Sequence, residues 1–258
     1  MDLSGRTAVI TGGNRGIGAA VSEALGAMGA RVAIVSRGRE AGEAMAASLR
    51  EQGADAGWFQ GDTREYDQMR RVASEVESSF GPVDILVASG SPTSPSAELF
   101  LDTDPDSYPD YFVRQCVTRL NPLRAVADQM ISQGKGKVVF ISTDAGRVPT
   151  PSEALIGAGA AGLMFATRAL GRELGRHGIR VNTVSTTLTR ATPAYERFQD
   201  RANKDKVLTR AFSKIEDRAA FGLNAPEDVA DAVLFLVSDA SDQISGATLS
   251  VNGGLSFP

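Results

Sequence analysis

Thr11 to Gly18 reads Thr-Gly-Gly-Asn-Arg-Gly-Ile-Gly, the stretch of this chain best suited to hold a phosphate. Gly12, Gly16 and Gly18 let a turn adopt φ > 0 and let a pyrophosphate approach main-chain N–H groups with no Cβ in the way. Asn14, Arg15 and Ile17 complete the turn. Free N–H groups and the dipole at the start of a following helix attract that negative charge. Downstream, Ser36-Arg37-Gly38 places a guanidinium where dinucleotide folds read the adenosine ribose. An acidic residue there bonds the 2′-OH, whereas an arginine accommodates a 2′-phosphate. Arg37, helped by Arg15, therefore favours NADP(H) over NAD(H); the alternative is two ordinary surface arginines.

Groups able to move a proton are sparser. Ser142 and Thr143 can hydrogen-bond a carbonyl, but their hydroxyls need a base to do more. Asp144 and Glu153 are candidate bases, with solvated loop carboxylates as the plainer alternative. Tyr108, Tyr111 and Tyr195 flank the same region, where packing is the competing role. His177, the only histidine, precedes Gly178 at a helix end and suits a cation at a C-terminus. Cys116, the only cysteine, reads as a small buried apolar residue, and no metal-ligand spacing surrounds it.

The elements that must position these groups alternate. Thr7–Ile10 is apolar and β-branched, the signature of a buried strand, and 19–30 is rich in helix formers. Strands are expected at 31–35, 57–60, 83–88, 137–142, 179–184 and 247–251, with helices between them. One long helix, 107–130, carries Asn121-Pro122 and should kink there. Another, 152–177, opens on Gly157, Gly159 and Gly162, a pattern that implies close packing or a ligand near the backbone. Short strand–helix units imply an α/β protein: a Rossmann-like, doubly wound, mostly parallel sheet with helices on both faces, in a single domain over 1–258. The polar stretch 186–222 reads as a lid over the substrate.

Composition narrows the classes further. Of 258 residues 42% are hydrophobic, enough for a real core, and the net charge of −4 with scattered Lys and Arg argues against nucleic acid. No apolar run approaches membrane-spanning length, and 1–6 lacks a signal peptide's apolar core, so a cytoplasmic protein is expected.

Four motifs together resemble the short-chain dehydrogenase/reductase family over essentially the whole chain. They are Thr11-Gly12-x-x-x-Gly16-x-Gly18, Asp62 after the third strand, Gly178-Ile179-Arg180-Val181-Asn182, and Pro226-Glu227-Asp228-Val229-Ala230 leading to Val251-Asn252-Gly253-Gly254. The resemblance implies a seven-stranded sheet, a small-molecule substrate, a dimer or tetramer, cofactor contacts from Asp62 and Thr63, and a structural Asn182. It also implies an Asn-Ser-Tyr-Lys relay, in which the Lys lowers the Tyr pKa from its usual value of about 10.

Counted from Gly136-Lys137-Val138, the Asn position falls on Gln115 and the Ser position on Thr143, with Ser142 beside it. Ile156 and Ala160 stand where Tyr and Lys are expected, and no Tyr-x-x-x-Lys occurs anywhere. The family's Asn-Asn-Ala-Gly has become Ala88-Ser89-Gly90-Ser91, and its Pro-Gly has become Thr186-Thr187. Three readings follow: a divergent NADP(H)-dependent oxidoreductase with a nonstandard proton donor, a silent subunit paired with an active relative in a hetero-oligomer, or a non-redox isomerase or lyase.

Overall fold

Val9 and Ile10 point to opposite sides of one sheet, and the two cores of the protein grow from that alternation. The computed structural model describes residues 1–202, 215 and 217–255. Its strands are β1 (Thr7–Thr11), β2 (Arg31–Ser36), β3 (Ala56–Gln60), β4 (Ile85–Ala88), β5 (Gly136–Thr143), β6 (Ile179–Thr186) and β7 (Thr248–Val251). Their order is β3-β2-β1-β4-β5-β6-β7, and every pairing is parallel. The helices are α1 (Gly16–Ala27), α2 (Arg39–Glu51), α3 (Tyr66–Phe80), α4 (Tyr108–Phe112), α5 (Thr118–Gln133), α6 (Ala154–Gly175), α7 (Pro193–Ala202) and α8 (Pro226–Val237). Helices α1, α2 and α8 cover the face bearing Ile10, Ile34 and Val139. Helices α3, α5 and α6 cover the face bearing Val9, Leu86 and Phe140. Strand order reverses between β1 and β4, which opens a crevice at their carboxyl ends.

Two expectations are corrected. The kink expected at Asn121-Pro122 lies upstream: Pro122 is buried inside α5, and Val113–Val117 forms a π turn between α4 and α5. Pro122 has no N–H to offer the Thr118 carbonyl, and the wider turn ends one residue before Thr118. Helix α6, with 22 residues and a mean hydropathy of 1.4, is long and apolar enough by length and composition to cross a membrane, contrary to the sequence reading. Here it is a core helix, burying Ile156, Leu163, Met164 and Thr167. Much of the proposed lid, residues 203–214 and 216, lies outside the described residues.

The glycines of α6 serve close packing. A Cβ on Gly157 would sit 2.5 Å from the Ala145 carbonyl oxygen, and one on Gly159 would sit 2.9 Å from the Gln115 Cβ. Asn182, 1% exposed, donates to the Ile244 carbonyl (2.9 Å) and accepts from Ala247 N–H (3.0 Å), clipping β6 to the approach of β7.

At the opposite end of the sheet Asp84 gathers Lys135 Nζ (2.7 Å), Thr7 N–H (3.0 Å) and Arg6 Nη1 (3.1 Å). Burial alone would raise its pKa, but these three donors outweigh it and hold the carboxyl below the ordinary range. A depressed folded pKa contributes stability above the unfolded value and loses it as pH falls through the folded one. We therefore expect Asp84→Asn to cost about 1–3 kcal/mol at neutral pH. The gap from the parent should close as pH drops below about 4. Urea unfolding at several pH values checks this, and equal stability at neutral pH would dismiss the clamp.

Candidate active site

The glycine turn closes the crevice from below. Gly12 (φ 68°) and Gly16 (φ 53°) both occupy the left-handed region. A Cβ on Gly12 would sit 2.6 Å from the Cα of Gly90, so the turn and the loop after β4 meet backbone to backbone. Gly18 likewise has no room for a side chain, because its Cβ would strike the Gly12 carbonyl. Helix α1 starts with neither a side-chain cap nor a carboxylate in its first turn, unlike α8, where Asp228 caps the Ala225 N–H. Its first N–H groups thus remain available to an anion.

Around this turn the predicted cofactor residues divide. Asn14 and Ile17 are half-buried in the turn, and Arg15 is exposed. Arg37 is exposed, and its ion pair is a long one, 3.9 Å to Asp62. The Ser36 hydroxyl is engaged, accepting from Trp58 Nε1 (2.9 Å) and donating to the Gly38 carbonyl (3.3 Å). Arg64, which the sequence reading passed over, grips Asp62 through Nη2 (2.6 Å) and Nε. That grip lowers the Asp62 pKa against the opposing effect of burial. Thr63 presents its carbonyl to Asn121 Nδ2 (3.0 Å). The one sequence signal for Arg64 was its spacing of two residues from Asp62.

The residues that the sequence count placed at the relay positions lie at the end of β5, on the π turn and on α6. Thr143 ends β5, and its Oγ1 accepts from Ala145 N–H (3.3 Å), leaving the hydroxyl hydrogen free to donate. Among the described residues Ser142 Oγ is buried with no partner. Gln115, 5% exposed, packs against α6 at Gly159. Ile156 and Ala160 are 6% and 0% exposed, an apolar wall where the relay's phenol and ammonium would stand. Tyr111 is buried and donates to the Ser96 carbonyl (3.1 Å), a packing role. His177 is exposed. Cys116 is half-buried and donates weakly to the Gly159 carbonyl (3.2 Å).

The two candidate bases part company. Asp144 is not a solvated loop carboxylate: it is 3% exposed and accepts from Asn252 Nδ2 (2.6 Å), Ser250 Oγ (3.1 Å) and Ser185 Oγ. Those bonds tie β5 to β6 and β7. Glu153 is half-buried at the start of α6, and burial raises its carboxyl pKa against the opposing charge of Arg114.

Arg119 holds the frame together. Its guanidinium is buried and donates to the Ile141 carbonyl through Nε (3.2 Å) and Nη2 (3.0 Å). Nη1 reaches the Arg114 carbonyl (2.6 Å) and Thr118 Oγ1 (2.7 Å). Burial, with the nearby charge of Arg114, pushes its pKa down to about 10, still a cation at neutral pH. Nothing in composition or periodicity pointed to it.

Known proteins resemble this chain from end to end. The family described as Enoyl-(Acyl carrier protein) reductase matches residues 12–256. The 2,3-dihydro-2,3-dihydroxybenzoate dehydrogenase of Bacillus subtilis is 30% identical over 253 residues, covering 98% of this chain and 96% of the relative. The D-threitol dehydrogenase of Mycolicibacterium smegmatis is 33% identical over 257 residues, covering 98% and 93%. Among solved structures, a gluconate 5-dehydrogenase from Burkholderia cenocepacia in complex with NADP and tartrate superposes with a TM-score of 0.88 at 28% identity, covering 98% of this chain and 96% of its own. An actinorhodin polyketide ketoreductase with NADPH gives 0.89 at 27% identity, covering 97% of each chain.

Because Arg119 donates twice to the Ile141 carbonyl, Arg119→Met should cost about 1–3 kcal/mol by removing that pairing, while the Arg114 carbonyl keeps Thr118 Oγ1 (2.8 Å). Arg119→Lys, which lacks the fork, should recover only part of it. A denaturant midpoint unchanged in Arg119→Met would show that the clamp is dispensable.

Proposed function

This chain belongs to the short-chain dehydrogenase/reductase family, and we propose that it is a divergent NADP(H)-dependent oxidoreductase interconverting a carbonyl and a hydroxyl on a small molecule. The observation that carries the reading is the uncapped start of α1 behind the glycine turn, with Arg15 and Arg37 exposed beside it. The N–H groups suit a pyrophosphate, and the guanidinium of Arg37 suits a 2′-phosphate. A nicotinamide cofactor held there supplies or removes a hydride. Of the chain's own groups, Thr143 donates its hydroxyl hydrogen to the substrate oxygen. Glu153 holds the exchangeable proton, since burial keeps its carboxyl protonated to higher pH than usual. The described part of 186–222, with Thr192 and Pro193 beside Gly16, covers the substrate, and Gln115 keeps the π turn seated on α6. A single cysteine and no paired thiols agree with a cytoplasmic setting.

A second reading, a silent subunit pairing with an active relative, draws on one observation, the buried apolar pair Ile156 and Ala160. Either reading expects an oligomer. Phe112 and Phe165 are 45% and 65% exposed on α4 and α6, and Leu249 on β7 is 38% exposed, apolar surface suited to other copies.

Calorimetric titration should show NADPH binding more tightly than NADH. Arg37→Asp should weaken NADPH binding by about tenfold or more, the worth of a charge-assisted hydrogen bond, and leave NADH nearly unchanged. Equal losses for both would remove the 2′-phosphate argument, and no binding of either would leave the silent-subunit reading in its place. Light scattering should return a dimer or larger, and a monomer would count against both readings.

A further inference from the structure

Two guanidiniums meet at the carboxylate of Asp62, and they engage it differently. Arg64 closes on it: Nη2 donates to Oδ2 (2.6 Å), and Nε lies 3.1 Å from each oxygen. The Arg64 main-chain N–H adds a further bond to Oδ1 (3.0 Å). Arg37 Nη1 stays 3.9 Å from Oδ2, an ion pair outside hydrogen-bond reach.

Neighbouring elements fix this arrangement. Asn121 Nδ2, on α5, donates to the carbonyls of Thr63 and Arg64 (3.0 Å each), and Gln68 Oε1, on α3, accepts from Asp62 N–H (3.0 Å). Gly61 N–H donates to the Ser36 carbonyl (3.1 Å), which holds the ends of β2 and β3 at their spacing. The Asp62 side chain is 14% exposed and that of Arg37 57%, so the carboxylate is held while the Arg37 guanidinium can turn.

A phosphate oxygen bonded to Arg37 Nη1 at about 2.8 Å could lie no more than about 7 Å from Asp62 Oδ2. That is inside the screening length of about 8 Å, so a bare carboxylate there would repel a phosphate dianion. It would also compete for Arg37, since a small side-chain rotation closes 3.9 Å to a hydrogen bond. An unpaired acid beside the ribose favours a 2′-OH over a 2′-phosphate. Arg64 cancels the charge and occupies both oxygens.

Resting on the NADP(H) reading above, we infer that Arg64 is a positioning residue that sets the choice between the two cofactors. It acts through Asp62: by holding that carboxylate it leaves Arg37 to the 2′-phosphate.

Calorimetric titration of the full chain and its variants with NADPH and with NADH tests this. Arg64→Gln should weaken NADPH about five- to tenfold and leave NADH within about twofold, because NADH carries no phosphate to repel. Arg64→Lys keeps the charge without the fork and should fall between. Adding Asp62→Asn to Arg64→Gln removes the charge that Arg64 cancels. The ratio of NADPH to NADH affinity should then return to the parent value, even if both affinities shift together. A merely structural role for Arg64 predicts no such rescue. An unchanged ratio in Arg64→Gln, equal losses for both cofactors, or a double variant without recovery would each overturn the role of Arg64, while the parent chain's preference for NADPH stands. A parent chain that prefers NADH, or binds neither, fails at the first step and takes the cofactor reading and the role of Arg64 down together.

Discussion

No side chain fits between Gly12 and Gly90, and the cofactor half of the molecule follows from that contact. Gly12 N–H donates to the Val35 carbonyl (2.7 Å), and Gly90 N–H donates to Thr11 Oγ1 (3.2 Å), so the turn is drawn both into β2 and onto the loop after β4. With the backbone pinned on both sides, α1 begins directly behind the crevice with its N–H groups uncovered. Thr192 and Pro193, at the start of α7, lie within 3.6 Å of a Cβ built on Gly16, which sets the described part of the 186–222 stretch over the same crevice. A methyl group at Gly12 would separate β1 from β4 at the point where ligands bind in such sheets.

The other half is organised around charge rather than around glycine. Arg119 spans the end of β5 and the π turn, and so fixes Gln115 against α6 and Arg114 beneath the loop after β4. Burying a guanidinium is expensive unless its donors are met, and here the acceptors are main-chain carbonyls rather than a carboxylate. The positive charge is therefore retained. Arg114 adds a second cation next to it.

Polar strand ends replace the family's motif residues elsewhere. Where Pro-Gly would follow β6, Thr186 joins Thr189 and Asn224 in a buried hydrogen-bonded knot, with Asn224 Nδ2 donating to both hydroxyls (2.7 and 2.8 Å). Asp144 makes a similar knot with Ser185, Ser250 and Asn252. In sequence these are scattered threonines, serines, asparagines and one acid, with nothing local to link them. Apart from the Thr186–Thr189 contact, their partners lie 35 to 108 residues away, so no local pattern reports that they are satisfied and buried.

What the sequence determined by itself was whatever depends on neighbours along the chain. Strand and helix order, the parallel sheet, the glycine turn and the missing Tyr-x-x-x-Lys were all legible, because period-two and helical spacing and turn chemistry act over a few residues. Strand limits fell within two residues of those expected. The tertiary structure decided what depends on distant partners. It moved the irregularity from Pro122 to the π turn, turned Asp144 from a candidate base into a buried tie, engaged Ser36 and Asp62, and brought Arg114 and Arg119 together behind the end of β5. Whether a charged or hydroxyl group is free to act depends on which groups fold against it, and only the closed sheet with its helices sets that.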